Sequence, residues 1–241
     1  MKALILAAGL GSRLAPITNN LPKSLVPVNG TPILFKQIDN LLKNGVNDIT
    51  IVSGYKAEVL EIVVHKKYPN VKIIESVDYA TTNNMYSAYL GIKSVGLDGF
   101  LMMNADVFFD CSVIAALLLW RSENAIVTDI GQYNEESMKV IQKNNKIVAI
   151  SKQISREDAL GSSIDVYKFG PKAAKAFFEK CKEYIEEKKE LKKWSEVALN
   201  DILNDVEFEA CPLVGRWFEI DNHDDLAAAE KLFSKDSDNI W

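Results

Sequence analysis

Met1 to Pro27 run MKALILAAGLGSRLAPITNNLPKSLVP. Within them Leu4 to Ala8 form a short apolar run without alternation, the pattern of a strand buried on both faces. The run ends directly in a loop carrying Gly9, Gly11, Ser12 and Arg13, and Lys23 follows between Pro22 and Pro27. Glycine lets backbone N–H groups close around an anion, and Arg13 and Lys23 add positive charge to the same neighbourhood. A polyphosphate suits such a loop. The glycines are not a dinucleotide fingerprint, because Leu14 stands where the third glycine of G-x-G-x-x-G would be, and no G-K-[ST] follows as in a P-loop. Taken alone, the segment is equally consistent with an ordinary strand and a glycine turn.

Outward from the loop, Pro32 to Lys43 reads as an amphipathic helix with Ile33, Ile38, Leu41 and Leu42 on its apolar side. Gly45 stops it, and Asp48 to Val52 is a second strand. Strand, helix and strand at this spacing make a βαβ unit with parallel pairing. A helix over Ala57 to Lys67 and a strand over Val71 to Ile74 continue the alternation. Ligands of open parallel sheets sit outside the carboxyl ends of the strands, so the residues just after each strand matter most. Thr82 or Asn83 is placed to cap a helix over Met85 to Ser94. The second carboxamide of the Asn83–Asn84 pair is free to read a base edge or a ribose hydroxyl.

Gly99 to Met103 is the fourth strand and ends in Asn104-Ala105-Asp106. A carboxylate at the end of a buried strand is costly unless it is hydrogen-bonded or holds a cation. Beside a triphosphate that cation is Mg²⁺, which takes few protein carboxylates and completes its shell with water and phosphate oxygens. Asp110 reads as a residue that caps or stabilises the Cys111 to Trp120 helix. Ala125 to Ile130 is a strand, and Met138 to Gln142 with Lys146 to Ser151 reads as a hairpin around Asn144-Asn145. Gly161 to Phe169 is a long strand, Lys172 to Lys189 a charged helix, and Trp194 opens another helix. Val206 to Ala210 and Arg216 to Asn222 read as the last strands before a helix beginning near Asp224.

The chain has 241 residues, 28 Lys and Arg against 33 Asp and Glu, and a net charge of −5. That balance, without a long basic block, argues against a nucleic-acid polymer as partner. Val113 to Trp120 is the longest uncharged apolar stretch and is too short to span a bilayer. The N-terminus enters a strand at once without a signal-peptide pattern, and Cys111, Cys181 and Cys211 are far apart. A cytoplasmic setting and a monomer or homodimer are expected. The tail from Ser234 to Trp241 carries no periodic core, so residues 1–241 are expected to form one domain.

Three pieces resemble the signature of nucleotidyltransferases that join a nucleoside triphosphate to a phosphorylated small molecule. They are Ala7 to Leu14, Pro22-Lys23, and Pro27 to Ile33. The resemblance implies an α/β, Rossmann-like, open and mostly parallel sheet of the GT-A-like type, with a small β-hairpin and helical insertion. It implies a loop over the triphosphate in which Leu6, Ala8, Gly9, Gly11, Ser12, Asn83, Asn84 and Asn104 meet the nucleotide. Arg13 and Lys23 would neutralise the phosphates, and Asp106 and Asp221 would share the Mg²⁺. Ser151 to Ile154 resembles the segment where the family carries a lysine for the acceptor phosphate, which maps onto Lys152, or Lys152 is a solvated hairpin lysine.

Trp194 to Leu199 and Trp217 to Asp221 are similar to elements of the short cytidylyltransferases that act on phosphocholine, 2-aminoethylphosphonate or inositol phosphate. There Trp194 and Glu196 would present a ring and a carboxylate to a cationic headgroup, or Trp194 is packing and Glu196 a first-turn helix charge. Asp165 joins them on the acceptor side, to which residues 138–168 and 190–212 are expected to contribute. Ser162, Ser163 and Asp165 depart from the pattern of those enzymes, so the acceptor stays open between amine-bearing and polyol phosphates. The expected reaction transfers CMP from CTP to such an acceptor and releases pyrophosphate. A hexose 1-phosphate with UTP, dTTP or GTP, and a nucleotide-binding protein without catalysis, are the alternatives.

Overall fold

The computed structural model describes residues 1–234, so the tail expected to lack a core lies, beyond Ser234, outside the described residues. Strand β1 (Lys2–Ala7) is followed by three short 3-10 turns at Ser12–Leu14, Ile17–Asn19 and Lys23–Leu25, and by a hairpin of β2 (Pro27–Val28) and β3 (Thr31–Pro32). Helix α1 (Ile33–Lys43), β4 (Asp48–Ser53), α2 (Ala57–Lys67), β5 (Lys72–Glu75), α3 (Asn84–Val95) and β6 (Phe100–Asn104) then alternate. A short β7 (Val107–Phe109), α4 (Ser112–Leu119) and β8 (Ala125–Ile130) lead into the hairpin of β9 (Lys139–Lys143) and β10 (Lys146–Ser151). The long β11 (Gly161–Phe169) precedes α5 (Pro171–Lys182), a π-helical turn at Glu183–Glu187, α6 (Ser195–Ile202), β12 (Glu209–Pro212), β13 (Trp217–Glu219) and α7 (His223–Leu232).

Nine strands share one sheet, ordered β10-β9-β11-β6-β1-β4-β5, with β8 on β11 and β12 on β8. The βαβ half is parallel as expected: β1 pairs with β4 and β6, and β4 with β5, all in parallel. Strand β11 enters antiparallel to β6, β8 and β9, which makes the sheet mixed where the second half joins. Alternation along β1 explains its unbroken apolar run. Leu4 and Leu6 pack on one side with Met85, Tyr89, Phe100, Tyr167 and Phe177. Ala3, Ile5 and Ala7 pack on the other with Leu34, Ile38, Ile51 and Leu60. Helices cover both faces, the condition under which parallel strands become continuously hydrophobic. Among the described residues no helix is long and apolar enough to cross a membrane.

Helix α1 does more than cover the sheet. Its carboxamides at Gln37 and Asn40, with that of the C-cap residue Asn44, lie on one face at helical spacing and run along the segment after β6. Gln37 Nε2 donates to the carbonyls of Asn104 (2.9 Å) and Val107 (2.8 Å), Asn40 Nδ2 to Phe109 (2.8 Å), and Asn44 Nδ2 to Cys111 (3.3 Å). These bonds hold the turn that carries Asp106. Strand β7 in turn pairs antiparallel with β13, and Ile220 N donates to the Asp106 carbonyl at 2.9 Å. A two-stranded ribbon thereby brings the last motif of the chain against the turn after β6.

Two local expectations are corrected. Asp110 does not cap α4 with its side chain. Its carboxylate takes the Arg216 guanidinium at 2.9 and 3.1 Å and the Arg216 backbone N–H at 3.0 Å. The strand expected over Val206 to Ala210 forms at Glu209–Pro212, where pairing with β8 sets its register.

Candidate active site

A cavity of about 420 Å³ opens past the carboxyl ends of β1 and β6. Leu6, Ala8, Gly9 and Arg13 form one wall. Gly11 and Ser12 do not line it. Gly11 instead shapes the loop: its φ is +62°, and a Cβ there would lie 2.6 Å from the Lys23 Cβ. Only glycine allows that approach. Lys23 then reaches forward to Asp106 Oδ2 at 2.9 Å and Asp221 Oδ1 at 2.6 Å, while Arg13 holds Asp221 Oδ2 at 2.9 Å. Burial opposes the Lys23 charge, but Asp106 and Asp221 outweigh it and hold the ammonium above the usual lysine pKa. Burial likewise works to raise Asp221, and Lys23 and Arg13 bring it below the usual carboxylate range.

Glu219 is the functional candidate that the sequence reading missed. Asp106, Glu219 and Asp221 each offer an oxygen within 4.8 Å of the others. Asp106 Oδ1 is buried without a hydrogen-bond partner among the described residues. Burial, then the charges of Asp106 and Asp221, push Glu219 up to about 7. Three hard oxygen donors, one of them unpartnered, fit a Mg²⁺ ion. The strand expected over Arg216 to Asn222 held the signal, since residues two apart on a strand share a face; the observed β13 ends at Glu219, and Asp221 follows two residues on.

Next to this cluster lies a buried acid pair, Asp165 and Glu196. Asp165 sits in β11 with φ +58°, where the register against β8 shifts between Ser163 and Tyr167. Asn104 Nδ2 donates to Asp165 Oδ2 at 3.0 Å. The Tyr167 hydroxyl lies 2.8 Å from Asp165 Oδ1 and 3.0 Å from Glu196 Oε1, and Ser195 Oγ adds a 3.1 Å bond to Glu196 Oε1. Burial, then the negative charges of Glu196, Glu219 and Asp106, push Asp165 well above the usual range. Burial raises Glu196 as well, against hydrogen bonds from its surroundings.

The remaining predicted residues have structural partners too. Asn83 caps α3, its Oδ1 accepting from Asn84 N at 2.8 Å, which selects it over Thr82. Asn84 Oδ1 accepts from Ser195 N at 2.8 Å and ties α3 to α6. Both asparagines still line the cavity, as do Lys152 and Trp194. The Lys152 ammonium lies 5.1 Å from the centre of the Trp194 ring, so the ring's cation site is shared with the chain's own lysine. Tyr79, Ser87, Glu136 and Ser137 also line the cavity and carried no sequence signal beyond, for Tyr79, its place after β5.

Residues 2–235 match the model of the nucleotidyl transferase family. Over 90 residues the chain is 49% identical to the choline-phosphate cytidylyltransferase of Streptococcus pneumoniae, covering 37% of this chain and 38% of that protein. Over 105 residues it is 37% identical to the 2-aminoethylphosphonate cytidylyltransferase of Lancefieldella rimae, covering 44% and 42%. Both matches thus span less than half of those relatives' own length. The solved structure of CTP:phosphocholine cytidylyltransferase from Streptococcus pneumoniae superposes with a TM-score of 0.80 at 26% identity, covering 97% of this chain and 99% of that one.

Proposed function

Because the chain belongs to the nucleotidyl transferase family, we propose that it transfers a nucleoside monophosphate, CMP by preference, to the phosphate or phosphonate of a small acceptor. The carrying observation is the arrangement of charge around the cavity. Arg13 and, behind the lining, Lys23 gather with the three carboxylates, and the Asp165–Glu196 acid pair lies buried beside them. The first group suits a triphosphate with its cation. The second suits an amine or quaternary ammonium, whose charge offsets carboxylates that burial disfavours. The acceptor side comprises residues 138–168 and 190–212.

In the reaction an anionic oxygen of the acceptor attacks the α-phosphorus. The new P–O bond forms as the bond to the bridging β-phosphate oxygen breaks, and pyrophosphate leaves with the electron pair. No general base is required, since the nucleophile is already ionised. The chain's task is to hold two anions in line and to neutralise developing charge. Arg13 and Lys23 serve the β- and γ-phosphates, Lys152 the acceptor phosphate, and Asn83, Asn84 and Asn104 the nucleoside. Mg²⁺ held by Asp106 and Asp221, with Glu219 in reach, would supply positive charge to the α-phosphate.

The test is a competition among the four common ribonucleoside triphosphates and dTTP. The acceptors are phosphocholine, phosphoethanolamine, 2-aminoethylphosphonate, inositol phosphate and glucose 1-phosphate, with products read by mass spectrometry and pyrophosphate release. CMP conjugates of the amine-bearing acceptors are expected. Exclusive use of UTP or dTTP with glucose 1-phosphate would overturn the cytidylyl preference and the cationic acceptor together. No pyrophosphate release from any pair would overturn the reaction.

A further inference from the structure

The carboxylates assigned to the cation already hold one. Lys23 Nζ bridges Asp106 Oδ2 and Asp221 Oδ1, and Arg13 takes the second oxygen of Asp221. A divalent ion accepted by the same carboxylates would stand close to that ammonium, and like charges so close repel strongly. The ion and the ammonium compete for these carboxylates. Lys23 has somewhere to go. The base of its stem is pinned against Gly11, but the stem beyond it is flexible. A cavity of about 40 Å³ adjoins it, bounded by Lys23, Gly9 and Asp106, and it shares Leu6, Gly9 and Asp106 with the main cavity.

We propose that Lys23 is the ligand-free protein's own counter-ion for Asp106 and Asp221, and that an incoming triphosphate opens these carboxylates to a divalent cation by drawing Lys23 and Arg13 onto its phosphates. The inference rests on the role proposed above for Asp106 and Asp221. Metal and nucleotide are then coupled: each binds weakly alone, and each strengthens the other by the same factor. Lys23 has opposite effects on the two partners. It suppresses the bare metal site and supports the nucleotide.

The probe is Mn²⁺, its bound fraction followed by electron paramagnetic resonance without nucleotide. Circular dichroism checks the fold of each variant. Wild type should leave Mn²⁺ largely free, whereas Lys23→Met should bind it about tenfold or more tightly, and Asp106→Asn in that background should abolish the gain. Lys23→Gln serves if Lys23→Met does not fold. Equal, Asp106-dependent binding by wild type and Lys23→Met would overturn the counter-ion role and leave the metal site standing. So would absence of any gain while wild type forms an Asp106-dependent complex with Mn²⁺ and CTP. No Asp106-dependent binding in any arm, CTP included, would overturn the metal site and the inference with it. One measurement needs no variant: in ¹³C-lysine-labelled wild type, metal-free CTP should shift the Lys23 Cε resonance, and an unmoved signal overturns the exchange.

Discussion

Glu219 is the most informative single residue. It is half-buried, faces Asp106 and Asp221, and accepts a long bond of 3.4 Å from Ser137 Oγ. Among the described residues no partner of positive charge pairs with it, unlike the two aspartates. Glu219→Gln preserves volume and the β7–β13 pairing, so the fold should persist. If Glu219 helps to hold the cation, turnover should fall by roughly 10²-fold, the scale for removing one charge-stabilising contact, and half-saturation with Mg²⁺ should move upward. Steady-state rates across a Mg²⁺ titration check this. Unchanged Mg²⁺ dependence would leave Asp106 and Asp221 as the metal pair. The loop before β2 carries a different lesson at the same scale: Gly11 was legible as a glycine with a purpose, but that purpose is room for the Lys23 stem, not a wall of the cavity.

At the scale of elements, the ribbon of β7 and β13 decides whether the site exists, because it joins Asp106 to Asp221. Asp110 and Arg216 lock its far end with a two-pronged, partly buried ion pair. Burial would raise the Asp110 pKa, but Arg216 and, more weakly, Lys36 bring it below the ordinary value. A depressed carboxyl contributes stability above its unfolded pKa, and that contribution is lost as pH falls through its folded pKa. Asp110→Asn should therefore destabilise the protein by about 1–3 kcal/mol at pH 7, and the gap should close below the unfolded carboxyl pKa of about 4. Urea melts of both proteins across that range measure it, and a gap independent of pH would deny the pair its charge. Local pattern could not reveal this partnership, since the residues lie 106 positions apart. The periodic elements were legible because their signal is local: α2 spans Ala57–Lys67 as its pattern requires. Strand β7 has three residues and no period, and β12 takes its register from β8, so neither could be read without tertiary partners.

Across the whole molecule, six carboxylates from five separate regions converge on one cavity: Asp106, Glu136, Asp165, Glu196, Glu219 and Asp221. Strand-end chemistry made Asp106 visible in the sequence, and Asp165 stood out as a departure from the pattern of the similar enzymes, but neither signal showed how the surroundings of the two differ. Asp106 and Asp221 are partnered by Lys23 and Arg13. Among the described residues the acid pair has neutral donors alone, and the single Tyr167 proton can serve one carboxyl at a time. Both groups are raised by burial, so the ligand-free fold favours their protonated forms. Its stability should then fall as pH rises from the ordinary carboxyl range through their raised values, because the unfolded chain releases those protons first. A cationic acceptor reverses the balance by stabilising the ionised pair, so its binding should expel protons and tighten with rising pH. A polyol phosphate gains nothing from that ionisation. Calorimetry in buffers of different ionisation enthalpy, with phosphocholine against inositol phosphate, separates the two through the protons released. Glu196→Gln and Asp165→Asn should each remove most of the release and weaken the cationic acceptor about tenfold or more, as expected when a buried charge loses its partner, while the polyol phosphate changes little. Equal losses for both acceptors would make the acid pair a structural feature of β11 and α6, with the headgroup recognised elsewhere in the cavity.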